Sequence, residues 1–127
     1  MNKREFIVYI AGPYTAPTKE ERDANIAKAE RYALKVWEMG FTVICPHLNT
    51  ARFEDKTSKV GYNDWMQGGL AILKKCHAIF MVPGWSKSGG ATEEREKAFD
   101  WGLGVFTSLE ELDEWWKGLK GPAWTAP

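Results

Sequence analysis

The stretch Phe6-Ile7-Val8-Tyr9-Ile10, closed by Ala11-Gly12-Pro13, decides how the chain is read. It is a continuous apolar and aromatic run, rich in β-branched residues and without polar alternation. Such a run predicts a strand buried on both faces. Gly12-Pro13 ends it. Working outward, Phe41-Thr42-Val43-Ile44, Ala78-Ile79-Phe80-Met81-Val82 and Gly104-Val105-Phe106 repeat the pattern. The segments between them read as helices. Thr18-Lys19-Glu20-Glu21 fits a capping box and opens a long helix running to about Met39. Ile26, Ala29, Ala33 and Trp37, with Leu34 and Val36 beside them, mark its inner face, and Gly40 is the expected glycine just past its end. Tyr62 to Lys75 reads as a second helix, with Asn63 or Asp64 near its start, and Ala91 to Trp101 as a third, ended by Gly102. Ser108-Leu109-Glu110-Glu111 is a second capping box, opening a helix that carries Trp115 and Trp116. Residues 45–61 read as a long polar loop of the kind that is usually functional or mobile. The order β-α-β-α-β-α-β-α predicts a doubly wound, mainly parallel α/β sheet with flanking helices. One domain is expected over residues 1–120, followed by a Pro/Gly-punctuated tail at 121–127.

Composition narrows the function classes. The chain has 127 residues, with 17 basic and 17 acidic side chains and a formal net charge of zero. Nucleic-acid domains usually carry a basic excess, so no polymeric nucleic acid is expected as a partner, although a small focused anion site is compatible with neutrality. No run approaches the roughly 18 apolar residues of a membrane span, and the start lacks the apolar region of a signal peptide. The expectation is a cytoplasmic protein with no membrane partner. Cys45 and Cys76 lie far apart, without metal-ligand spacing, and read as reduced thiols. No metal site and no cofactor are expected. Seven tryptophans are a surplus for a domain this small.

The third helix carries the sharpest anomaly. At about 100° per residue, Ala91, Glu94, Ala98 and Trp101 share one stripe, while Glu93, Glu96, Lys97 and Asp100 face away. The apolar stripe should face the sheet, so Glu94 points inward. An inward carboxylate needs a partner or a task. Two readings stand: a nucleophile, or a structural acceptor for loop amides. Ser88-Gly89-Gly90 before it offers a hydroxyl and unhindered amides at a helix N-terminus, an arrangement suited to an anion. The first loop, with Gly12, Pro13 and Tyr14, supplies further polar groups but is neither a dinucleotide fingerprint nor a P-loop. Arg22 and Asn25 share a face near the start of the first helix, where Arg22 is a candidate phosphate ligand. His47 in the long loop joins the candidate binding residues. Trp85 stands in the turn before Ser88, placed to stack on a base.

Tyr9-Ile10-Ala11-Gly12-Pro13-Tyr14 together with Ser88-x-Gly90-x-x-x-Glu94-x-x-x-Ala98 resembles the nucleoside 2-deoxyribosyltransferase-like superfamily. The superfamily includes 2′-deoxynucleoside 5′-monophosphate N-glycosidases, and the chain is most similar to small phage and bacterial members of unknown function. The resemblance spans about residues 5–112. It implies that Glu94 is a nucleophile toward the anomeric carbon of a nucleotide or nucleoside, forming a glycosyl ester released to water or to another base. It implies that Tyr9 holds the nucleophile or the sugar. Ser88 matches the serine of the monophosphate hydrolases rather than the aspartate of the transferases, which tilts the expectation toward a 5′-monophosphate. The sequence departs from the pattern where relatives carry an aspartate in the second helix: that register falls on Gly69. Asp64 is the nearest acid and the candidate substitute as general acid or sugar ligand, with His77 as another proton source. Pro13 stands where the monophosphate hydrolases have a phosphate-binding serine. The alternative is a non-catalytic nucleotide-binding module. Relatives are commonly dimers or higher oligomers, so a homo-oligomer is expected, with Trp115, Trp116 and Trp124 as interface candidates.

Overall fold

Four strands form one all-parallel sheet: β1 (Ile7–Ala11), β2 (Thr42–Ile44), β3 (Ala78–Met81) and β4 (Gly104–Phe106), in the order β2-β1-β3-β4. This computed structural model describes residues 2–119. The five helices among them are α1 (Lys19–Glu38), α2 (Pro46–Asn49), α3 (Tyr62–Leu73), α4 (Gly89–Asp100) and α5 (Leu109–Leu119). The doubly wound α/β sheet read from the sequence is the fold. The tail at 121–127, with Trp124, lies outside the described residues.

β1 is central because it can be. Tyr9 pairs with Ile44 on one side and Ile79 on the other, so the strand has no solvent edge and needs apolar side chains on both faces. Alternation then divides its residues. Phe6, Val8 and Ile10 join Phe80 and Val82 in a core covered by α1 and α5. Tyr9 and Ala11 join Ile79 and Met81 in a second core covered by α3 and α4. The order reverses between β1 and β3, which places a crevice beyond their carboxyl ends. Gly12 closes the base of that crevice: a Cβ on it would stand 2.9 Å from the Cβ of Val82.

Several expected details change. Thr18 does cap α1, accepting from the Glu21 N–H at 3.1 Å. The inner face of α1, however, is Arg22, Ile26, Ala29, Ala33 and Val36. Trp37 and Leu34 fall outside that stripe and are 41% and 58% exposed, and the Arg4 guanidinium lies over the Trp37 ring. The polar loop 45–61 contains α2 and a 3-10 turn at Phe53–Asp55. The Gly89-Gly90 pair is the first turn of α4, with Ser88 as its N-cap, rather than a turn before the helix. Trp115 and Trp116 are not an exposed interface pair. Trp116 is buried against Phe6 and Phe41, and Trp115 packs edge-on to Phe6 and tilted against Phe106. Two adjacent tryptophans serve one core because Phe6, before β1, reaches both. No helix among the described residues is long and apolar enough to cross a membrane.

The swap of roles between tryptophans is measurable. Trp116→Ala is expected to lower the unfolding free energy by about 3–5 kcal/mol. Trp37→Ala should cost less than about 1 kcal/mol. Urea denaturation of both variants checks the order, and equal losses would contradict it.

Candidate functional site

The site is built where α3 and α4 meet over the Tyr9 side of β1. Glu94 lies on the same side of α4 as Ala91 and Ala98, both fully buried, and is itself only partly exposed. Its Oε2 accepts a hydrogen bond from the Tyr9 hydroxyl, and Tyr9 is buried to 1% exposure. Burial pushes the Glu94 carboxyl up to about 7. The Tyr9 hydrogen bond opposes that shift and the nearby Glu93 adds slightly to it. Burial, first, and the adjacent Glu94 push the Tyr9 phenol far above its ordinary value, so it remains a proton donor. The result is a carboxyl poised to change charge near neutrality against a phenol that does not.

Gly69 makes room for this pair, and Gly90 lets α3 approach α4 beside it. A Cβ on Gly69 of α3 would stand 2.9 Å from the Tyr9 hydroxyl and 3.7 Å from Glu94 Oε2. A Cβ on Gly90 of α4 would meet Tyr62 Oη at 3.2 Å and Met66 Sδ at 3.3 Å. At about 100° per residue, Tyr62, Met66 and Gly69 share one face of α3, as Gly90 and Glu94 share one side of α4. A seam therefore runs from the pair out to the α4 N-terminus, walled by Met66 and the exposed ring of Tyr62. Sequence reasoning missed Tyr62, Met66 and Gly69 as site residues. Their i, i+4, i+7 spacing was the available signal, but nothing in a single sequence says which helix faces Glu94.

The remaining predicted residues separate into groups. Ser88 uses its hydroxyl to cap α4, accepting from the Ala91 N–H at 3.1 Å. The Gly89 and Gly90 amides open the helix, where the dipole is positive. Trp85 is half-buried: it packs against the core under α4, and the Arg95 guanidinium sits 5.1 Å from its ring centroid. Asp64 is not brought to the pair. It lies across α3 from the Tyr62 face, exposed, and its carboxylate accepts from the Gly61 N–H at 2.8 Å. His77 is at the opposite end of the sheet, where its Nδ1 accepts from the Ile7 N–H at 3.0 Å.

Arg22 is also claimed elsewhere. It is buried, and its fork meets both oxygens of Asp55 at 3.0 and 2.9 Å, with Glu54 at 3.6 Å. Those carboxylates hold the place expected for a phosphate. The Tyr14 hydroxyl donates to Glu54 and accepts from the Arg52 N–H, both at 2.9 Å, and Arg52, in a left-handed conformation, pairs with Asp23 at 3.1 Å. Asn25 donates to the Tyr14 carbonyl at 3.1 Å. Burial holds the His47 imidazole below its usual value, so at neutral pH it is uncharged and donates from Nε2 to the Pro13 carbonyl at 2.8 Å. Arg22, Asn25, Tyr14 and His47 thus fasten loop 45–61 and the Gly12-Pro13 turn to each other. Among the described residues, no cluster of His, Cys, Asp and Glu could hold a metal ion.

The fold and the pair define a class: a doubly wound parallel α/β protein with a near-neutral carboxyl and a phenol buried between two helices. Within that class, residues 6–107 match the family model described as a domain of unknown function (DUF4406), and the chain belongs to that family. No curated protein matches the chain.

The raised Glu94 carboxyl has a consequence for stability. The folded protein keeps a proton that the unfolded chain, with its ordinary value of 4.5, releases. That contribution is present below about 4.5 and lost as pH rises through about 7. Above that range the buried charge costs about 3 kcal/mol. Glu94→Gln keeps an acceptor for Tyr9 without the charge. It should raise the melting temperature at about pH 8 and change it little at about pH 5. Calorimetric scans at both pH values check this.

Proposed function

We propose that the chain breaks or transfers the N-glycosidic bond of a nucleotide or nucleoside, probed first with (deoxy)nucleoside 5′-monophosphates, with Glu94 as the nucleophile. The observation that carries the reading is the Glu94–Tyr9 pair: a poorly solvated carboxylate, held at one oxygen by a buried phenol, beside Gly69 and about one turn along α4 from Gly90. A free carboxylate oxygen attacks the anomeric carbon as the bond to the base nitrogen breaks, and positive charge develops on the sugar ring. The departing base takes its proton from water, because no carboxyl stands at Gly69. A second water, or another base, then cleaves the glycosyl ester and regenerates the carboxylate. Tyr9 positions Glu94 by fixing Oε2, and the Gly89 and Gly90 amides are the groups available to a phosphate oxygen. Tyr62 and Met66 wall the seam where the base would leave.

The glycine at position 69 favours a second reading, a nucleotide-binding module on the same fold without turnover. Base release separates the two. Incubation with a panel of nucleotides and nucleosides, followed by mass spectrometry of free bases, should detect release by the wild type. Glu94→Ala and Glu94→Gln should lower it by more than about a thousandfold. Saturable binding without release by the wild type would select the binding module instead.

The pH profile tests the pair itself. Attack requires the carboxylate, so release should rise through about pH 7 as Glu94 loses its proton. Tyr9→Phe removes a hydrogen bond that favours the charged form. Its rising limb should move to higher pH, and a limb that stays in place would rule out the positioning role.

A further inference from the structure

The crevice at the sheet reversal holds a cavity on the face of the sheet away from Glu94. It has a volume of about 480 Å³ and lies between the loop after β1, the loop after β3 and the flank of α1 that carries Glu21, Asn25, Lys28 and Ala29. That is within the range of small-molecule sites, roughly 300–1,000 Å³. Its floor includes Ala29 and Val82, which belong to the α1-side core, whereas Tyr9 belongs to the core under α3 and α4. The two sites are therefore back to back across the β1–β3 seam.

The cavity is built rather than incidental. Gly12 and Val82 approach so closely that a side chain at 12 would clash, which pins the two loops together at their base. Proline at 13, 17 and 83 stiffens both walls. The Lys28 ammonium bridges the walls, donating to the Pro83 carbonyl at 2.6 Å, and Gly84 beside it takes a positive φ of 95° that keeps that turn compact. Lys28 and Lys87 are the basic residues of the lining and Glu21 its acid, so the balance is positive. Asn25 adds an amide, and the remaining lining is aliphatic, proline, glycine and threonine, with no aromatic ring.

We propose that this cavity binds a phosphate monoester with a small non-aromatic body, aliphatic or sugar-like. Two ammonium groups and an amide suit a phosphate. Short aliphatic walls suit a carbon chain or sugar ring, and the absence of any aromatic surface excludes recognition of a base by stacking. The inference rests on the cavity alone and stands whether or not Glu94 cleaves a glycosidic bond.

The test is an amide NMR titration of the full chain with glycerol 3-phosphate and ribose 5-phosphate, with inorganic phosphate, glycerol and ribose as comparisons. The phosphate esters should give saturable shifts at Gly12, Gly84 and Lys87. The neutral probes should give none, and inorganic phosphate should bind more weakly than the esters. Lys87→Met, and Lys28→Met combined with it, should each weaken the esters by about tenfold or more while leaving the spectrum folded. Glu94→Gln should bind the esters at this cavity as the wild type does, which separates failure here from failure of the glycosidic reading. The proposal is overturned if shifts at millimolar ester are absent or confined to residues 88–94. It is equally overturned if glycerol or ribose binds as well, if inorganic phosphate binds as tightly as the esters, or if the folded lysine variants bind unchanged.

Discussion

The hydrogen bond from Tyr9 to Glu94 is the constraint around which the α3–α4 side of the molecule is arranged. A strand interior must present an apolar side chain to its helices, and here it presents a phenol. A helix stripe that should be alanine and leucine carries a carboxyl. Each group alone would be a buried polar group without a partner, at a cost of about 1–3 kcal/mol. Together they satisfy each other, and burial leaves the carboxyl titrating near neutrality. The core tolerates this because Gly69 and Gly90 remove the side chains that would crowd the pair and the seam beside it. Such a local conflict with packing is the pattern expected where stability has been traded for chemistry.

The other side of the sheet shows where rigidity comes from. Gly12 against Val82 fixes the roots of the β1 and β3 loops. Beyond them, Arg22 gathers Asp55 and Glu54, Tyr14 links Glu54 to the Arg52 backbone, and His47 holds the Pro13 carbonyl. These contacts turn the long polar segment between β2 and α3 into part of the scaffold. The groups that looked like ligands for a substrate are ligands for this segment, while the cavity beneath Lys28 stays open between the two loops.

How much was legible in the sequence follows from the range of the interactions. The strands were legible because an apolar run such as Phe6–Ile10 has one good solution in water, a strand covered on both faces. Glu94 was legible because its conflict with the Ala91–Ala98 stripe is local, within two helical turns. Thr18 and Ser108 were legible as caps because a cap closes within three residues. What was not legible depended on partners far away in the chain. Arg22 reads as a free cation until Asp55, 33 residues later, is placed against it. Trp115 and Trp116 read as a surface pair until Phe6 is seen to reach both. Trp37 shares the apolar character of its helix but sits one position off the buried stripe, a difference that periodicity alone resolves poorly.

Gly69 joins these threads, because it stands against both Tyr9 and Glu94. Any side chain at this position begins with a Cβ that would lie 2.9 Å from the Tyr9 hydroxyl, closer than real Cβ contacts allow. An acid here would have to push α3 outward or displace the phenol from Glu94. The Tyr9–Glu94 bond in its present geometry and a carboxyl at 69 are therefore alternatives, not partners. A second carboxylate at that distance would also raise Glu94 further by like-charge repulsion. Within the proposed reaction, the pair must act with a proton from solvent. The substrates best suited to it are those whose base leaves without an enzyme acid, or whose base is already protonated near the pH at which Glu94 ionises.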